Sequence, residues 1–227
     1  MSYELSATKL NLLKDCPRCF WLLMNKNFKR PSGLRSSVPV KMDSIIKRYF
    51  NSYRGNILPP ILNGQINGRL AVGIPLTLRY DTGNGIILWG RPDDYLELND
   101  LNIAVLDHKT ASQAPKAVHP SYQLQMDVYS YLLKKNGYKT SNKAYLIYFT
   151  PDHCILHNGM KINCSVIEVT TDINHVENLI SIAQKNLNGP IPDSSEKCEY
   201  CGWVQAMKEK KSVIEDVVIC KRIAMIK

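Results

Sequence analysis

Apolar residues recur at helical spacing near the start of the chain and gather into short runs through its middle, which divides it into helices and a sheet. From Ser6, an N-cap type of residue, Leu10 and Leu13 lead a helical pattern that continues past Pro17 to Met24. A connector rich in Pro, Ser and Gly, RPSGLRSSVP, separates it from a second amphipathic pattern, Val40 to Tyr53, with Met42, Ile45, Ile46 and Tyr49 on one side. Residues 55–73 hold many Gly, Asn and Pro and read as a loop. Strand-like runs follow at IPLTLRY, GIILWGRPDDYLEL and LNIAVLDHKT, and the turn formers of ELNDLN make the last two a hairpin. A helical stretch, SYQLQMDVYSYLLKKNG, precedes a strand, KAYLIYF, a run CSVIEVT and a helix near Val176 to Leu187. The tail, SVIEDVVICKRIAMIK, is apolar and basic, and its pattern fits helix and strand equally. There is no internal repeat and no low-complexity segment.

The sheet pattern gives some of its polar residues a particular meaning. Asp93, in Gly90-Arg91-Pro92-Asp93-Asp94, and Asp107, in Asp107-His108-Lys109, fall on two successive strand-like runs. Residues two apart on a strand share a face, so Asp107 and Lys109 point into one cleft and the His108 side chain points away. Phosphodiester hydrolysis is served by a hard cation that polarises the phosphate and acidifies water, and such a cation takes oxygen ligands. Asp93, Asp107 and the His108 carbonyl are candidate ligands, and Lys109 can orient water or offset charge on phosphate. The plain alternative makes these aspartates strand-end and turn residues and Lys109 a solvated charge. Downstream, Gln125 and Tyr129 stand four apart on one helical face and can look into the same cleft. Alternatively, Tyr122, Tyr129 and Leu133 form a core stripe with Gln125 at its edge.

Composition narrows the class. A chain of 227 residues with 44% hydrophobic content can bury a sizeable core and reads as a single domain. No apolar run reaches the length of a membrane span, and the N-terminus lacks the basic and apolar regions of a secretory signal, so a cytoplasmic location is expected. The 29 Lys and Arg outnumber the 20 Asp and Glu, for a net charge of +9, which suits a polyanionic partner. The basic residues concentrate at Lys26, Lys29, Arg30 and Arg35, on through Lys41, Lys47, Arg48 and Arg54, and again at Lys208, Lys210, Lys211, Lys221 and Arg222.

Seven cysteines in a reducing compartment bind metal or fill a core more often than they pair. Cys16-Pro17-Arg18-Cys19 and Cys198-Glu199-Tyr200-Cys201 have ligand spacing, so four sulfurs can close one zinc or iron-sulfur site across a very long loop. In a rival arrangement Cys19 is buried in its helix and another residue supplies the fourth ligand. Cys154, Cys164 and Cys220 lie in apolar runs and read as core.

Taken in order, Gly90 with Asp93, Asp107 with Lys109, Gln125 with Tyr129, Cys16, and Cys198 with Cys201 resemble the PD-(D/E)xK nuclease superfamily. The nearest likeness is to its RecB-like branch with a cysteine-bound cluster, which includes CRISPR-associated exonucleases and helicase-linked nucleases. The likeness runs from about Leu10 to Trp203. It implies a central mixed β-sheet flanked by helices, a restriction-endonuclease-like core, with the N- and C-terminal segments joined by a four-cysteine site. In that picture 1–227 is one nuclease-like domain, 75–170 its catalytic core, and 1–30 with 190–227 a cysteine-cluster lobe.

The resemblance further implies a DNA nuclease using Mg²⁺ or Mn²⁺ at Asp93, Asp107 and the His108 carbonyl, with Lys109, Gln125 and Tyr129 in the catalytic constellation. A 4Fe–4S cluster, or alternatively Zn²⁺, would sit on Cys16, Cys19, Cys198 and Cys201. The implied partners are DNA with free ends or single strands and DNA-processing or CRISPR adaptation proteins. The chain departs from the pattern twice. Where the branch often has a histidine in the helix before the core, this chain has Asp43, a possible ligand, and the usual C-terminal trio of cysteines is absent. Asp94 replaces Asp93 as ligand if the strand register is one residue off. A binding module without turnover and a zinc-stabilised adaptor are the rival functions.

Overall fold

The computed structural model describes residues 2–31, 33, 36–152 and 159–210. Arg35, Cys154, Lys211, Cys220, Lys221, Arg222 and the tail pattern lie outside these residues.

The chain forms two compact units, one of residues 1–11 and 33–184 and the other of residues 12–32 and 185–227. The first unit carries two mixed sheets and the helices that flank them, an α/β fold consistent with a restriction-endonuclease-like core. The smaller sheet has the order β1 (Tyr3–Leu5), β4 (Ile86–Gly90), β3 (Leu78–Asp81), with β1 parallel and β3 antiparallel to β4. The larger has the order β2 (Arg69–Leu70), β5 (Asp94–Glu97), β6 (Ile103–Thr110), β7 (Thr140–Pro151), β8 (Ile162–Thr170). Within it β6 and β7 are parallel and the other pairs antiparallel. The expected hairpin is β5–β6.

Strand β6 lies at the centre, and Ala104 through Asp107 are at most 2% exposed. That explains its continuous rather than alternating apolar run, since a strand covered on both faces needs no polar face. Helix α3 (Ser37–Asn51) packs Ile46 and Phe50 against Ala104, Leu106, Ile147 and Phe149 on one face. Helix α4 (Pro120–Lys135) meets β6 on the side of Asp107 and Lys109. The start of α4 is fixed by Pro120 at its first turn and by His119, whose side chain accepts from the Ser121 amide at 3.2 Å. Helix α5 (Ile173–Asn188) follows β8.

Four expectations need correction. The helix from Ser6 to Met24 is two helices, α1 (Ala7–Asp15) and α2 (Pro17–Lys26), because Cys16 is extended (φ −157°, ψ 109°) and Pro17 opens a new first turn. GIILWGRPDDYLEL is two strands in two different sheets, broken at Arg91-Pro92-Asp93. Proline has no N–H for a ladder, so the run cannot continue through it. Helix α3 begins earlier than Val40, and Ile45, placed on its apolar side, is 43% exposed while Phe50 is fully buried. Finally, residues 55–73 carry a short 3₁₀ turn (Pro60–Leu62) and β2, and bury Leu62, Ile66 and Leu70 in the core.

Candidate active site and cysteine centre

Hairpin register brings the first two candidates level. Asp94 lies opposite Leu106 in the β5–β6 ladder, so Asp93 comes alongside Asp107. Asp93 sits in the break that Pro92 creates, where its side chain reaches across the hairpin and its Oδ2 accepts from the His108 amide at 2.9 Å. Its Oδ1 is 3.0 Å from the Lys47 ammonium of α3. Asp107 is 2% exposed. Its Oδ2 is 2.5 Å from Lys109 Nζ, but among the described residues no donor is aligned on that oxygen, so it has a charge beside it without a directed hydrogen bond. Burial pushes the Asp107 carboxyl up to about 6, with the Lys109 charge pulling it down and the Asp93 charge pushing it further up.

The side chains of α4 complete the cleft, and a single amide connects them. Gln125 Oε1 accepts from Lys109 Nζ at 2.9 Å, and its Nε2 donates to the Tyr129 hydroxyl at 3.0 Å and, weakly, to Asp107 Oδ1 at 3.4 Å. Tyr129 is 8% exposed, and burial pushes its phenol up to about 12, so it remains protonated. It is therefore both a core residue and a cleft residue. Gly90 is required by this packing: a Cβ there would lie 2.7 Å from the Tyr129 ring and 3.0 Å from Leu132. Tyr122, a member of the alternative core stripe, places its ring 4.3 Å from Lys109 Nζ in a cation–π contact.

His108 turns its ring away, as alternation requires. The ring lies 4.3 Å from Phe50 and 5.8 Å from Phe149, with no partner for either nitrogen among the described residues, and burial pulls it down to about 4, so it is neutral. Asp43 does not reach Asp93 directly. Lys47 Nζ stands between them, 2.9 Å from Asp43 Oδ2. Asp94 takes a separate environment, buried and 2.7 Å from Arg54 Nη1. Lys47 and Arg54, grouped above with a general basic surface, are thus committed to particular carboxylates. Lys26, Lys29 and Arg30 belong to the other unit.

In the second unit the four cysteines come together. Cys16 caps α2, Cys19 lies in its first turn, Cys198 precedes a helix over 199–210 (α6), and Cys201 lies within it. Their sulfurs are all within 4.8 Å of one another, with Cys19 3.7 Å from Cys198 and 3.6 Å from Cys201, and Cys16 3.9 Å from Cys201. Among the described residues this is the one convergence of three or more Cys, His, Asp or Glu side chains. Burial opposes the Cys16 thiolate, but the amides of Cys19 and Ser195 and the neighbouring thiols outweigh it and bring Cys16 to about 7, the form a metal takes. Arg30 donates to Cys198 Sγ at 3.3 Å and pairs with Asp15. Cys164 is not part of the cluster; it packs half-buried against the core, where burial pushes its thiol up to about 11.

Two carboxylates, an amine, an amide and a phenol thus converge at a break in a mixed sheet. Two carboxylates brought level on adjacent strands, one of them buried with an oxygen that has no aligned donor among the described residues, offer the hard oxygen donors that a divalent cation takes. This is a site suited to phosphoryl chemistry. The chain belongs to the PD-(D/E)XK nuclease superfamily, whose family model matches residues 64–206. That span contains every candidate just described on β5, β6 and α4, together with Cys198 and Cys201, and leaves out Lys47, Cys16 and Cys19. No curated protein matches the chain. Among solved structures it is similar to SSO0001, with 18% identity and a TM-score of 0.46 over 84% of this chain and 79% of that one. It is also similar to an alkaline exonuclease (LHK-Exo) from Laribacter hongkongensis, with 12% identity and a TM-score of 0.42 over 93% of this chain and 94% of the other.

Proposed function

We propose that the protein is a divalent-metal-dependent nuclease of the RecB-like branch that hydrolyses DNA at ends or in single strands. The observation that carries this reading is the meeting of Asp93, Asp107 and Lys109 at one place on the β5–β6 hairpin. Asp93, Asp107 and the His108 carbonyl would hold Mg²⁺ or Mn²⁺, which supplies polarisation of the phosphate and acidification of water. Lys109, steadied by Gln125 and the Tyr122 ring, orients the attacking water or meets negative charge growing on the phosphate. Gln125 and the Tyr129 hydroxyl position substrate. Asp107→Ala is expected to lose divalent-dependent cleavage of single-stranded and open-ended DNA with its melting curve intact. Equal cleavage by that variant would trace the activity to a contaminant.

Lys47 favours a second reading. Its ammonium lies between Asp43 and Asp93, where a cation would otherwise neutralise charge, as suits a DNA-binding subunit without turnover. Titrating DNA affinity and cleavage together in Mg²⁺ and Mn²⁺ separates the two, since only the nuclease consumes substrate. In either case a place among DNA-processing or CRISPR adaptation proteins accords with the resemblance.

For the cysteine site, three sulfur separations of 3.6–3.9 Å, with all four sulfurs within 4.8 Å of one another, favour one tetrahedral ion. A shared Zn²⁺ with Zn–S near 2.3 Å puts its sulfurs about 3.8 Å apart. A 4Fe–4S cluster holds each thiolate on its own iron and spreads them wider. Metal analysis of the purified protein should find one zinc per chain and no visible absorbance; a brown protein with stoichiometric iron would restore the cluster.

A further inference from the structure

The phosphodiesterase reading leaves unexplained a cavity of about 410 Å³ in the second unit, walled by α2, the residues that follow it, and α6. Three aromatic side chains line it, Phe28, Tyr200 and Trp203, exposed by 67%, 41% and 66%. Arg18, Lys29, Arg30 and Lys208 share the wall; Arg18 pairs with Asp193 beside it, and among the described residues no carboxylate lines the cavity. Arg30 is engaged by Asp15, Cys198 and the Tyr200 ring, whereas among the described residues no ion pair takes up Lys29 or Lys208.

These features select one kind of occupant. Large aromatic faces left in water are unfavourable unless something covers them, and such patches usually mark binding surfaces. A purely apolar partner would leave the lysines without counter-charges. Single-stranded nucleic acid presents both complements, unpaired bases that stack on aromatic rings and phosphates that pair with cations. A duplex keeps its base faces inside its own stack.

We propose that this cavity holds unpaired bases of a single strand, stacked on Trp203 and Phe28, with Lys29 and Lys208 on the flanking phosphates. Cys19 and Cys201 stand in the same wall with sulfurs 3.6 Å apart, so an ion on the cysteines fixes the spacing of α2 and α6 and hence the width of the cavity. The inference rests on the reading of the substrate as nucleic acid, and gives the cysteine site a part in binding it.

The test uses the full-length, metal-replete protein and fluorescein-labelled oligothymidylate, read by anisotropy without added Mg²⁺ or Mn²⁺. Trp203→Ala should weaken binding about tenfold. Its Mn²⁺-dependent hydrolysis of bis(4-nitrophenyl) phosphate, a diester with no base to stack, should match the wild type. Equal oligothymidylate affinity in the two proteins overturns the proposal. So does self-association of the wild type that oligothymidylate fails to block and Trp203→Ala abolishes, because the cavity would then seat a second copy. The variant Lys29→Gln/Lys208→Gln keeps the aromatic wall and covers a folding failure of Trp203→Ala. It should make the dependence of log affinity on log salt shallower by about 1.4, and an unchanged slope counts against the site. Failure of the wild type to hydrolyse the small diester would sink the nuclease reading alone and leave the binding comparison valid.

Discussion

At the residue scale the first unit is a set of paired charges, each with its own consequence. Asp94 is buried with one guanidinium beside it, and removing Arg54 leaves a carboxylate where it is hard to solvate. Arg54→Met should therefore cost about 3–5 kcal/mol in a denaturant titration, and Arg54→Met with Asp94→Leu should regain most of that. Lys47 lies where it would compete with the proposed cation for Asp93. Lys47→Met is expected to tighten Mn²⁺ binding measured by calorimetry; unchanged affinity would mean that the ion does not approach Asp93 from that side. Gly90 shows how a motif residue serves packing: Gly90→Ala drives a methyl into the Tyr129 ring and should lower stability by about 1–3 kcal/mol in thermal unfolding. Gly90, Asp93, Asp107, Lys109, Gln125 and Tyr129 could all be picked out from the sequence. The parts of Lys47, Arg54 and Tyr122 could not, because the site partners Asp93, Asp94 and Lys109 are 13 to 46 residues away; the spacing of Lys47 from Asp43 marks only a pair along the helix.

At the element scale, local chemistry set the ends of helices and strands more firmly than periodicity did. Pro17 and Pro92 each interrupt a hydrophobic pattern that continues on both sides, and at each the chain changes element. The break at Pro92 also frees Asp93 from the ladder, which lets its carboxylate turn toward the His108 amide. The turn between β5 and β6 shows a compromise. Leu101 sits at φ 62°, a left-handed conformation that a branched side chain resists, and is 69% exposed, so the side chain gains little in return. Leu101→Asn should stabilise the protein by about 1 kcal/mol, a rise in melting temperature of about 2–4 °C, with the hairpin register unchanged.

At the scale of the whole molecule, two separate stretches of chain make the second unit, and the four cysteines gather from both across more than 170 residues of intervening chain. Such a closure is worth most where little other core is available. Cys198→Ser should lower the melting temperature and the metal content of the purified protein if the proposed ion ties the stretches together, while amides of β6 and β7 keep their protection in hydrogen exchange; equal loss of protection in those strands would show that the two units unfold as one. No helix among the described residues is long and apolar enough to cross a membrane. The order of residues alone was enough to place Asp107 and Lys109 on one face and His108 on the other, to give Gln125 and Tyr129 their helical spacing, and to give each cysteine pair its ligand spacing. All of these follow from backbone geometry over a few residues. Folding in three dimensions was needed for the pairs to meet, for Lys47 to lie between Asp43 and Asp93, and for one long run to divide between two sheets. Those outcomes depend on contacts between distant parts of the chain, where burial and charge pairing outweigh local preference.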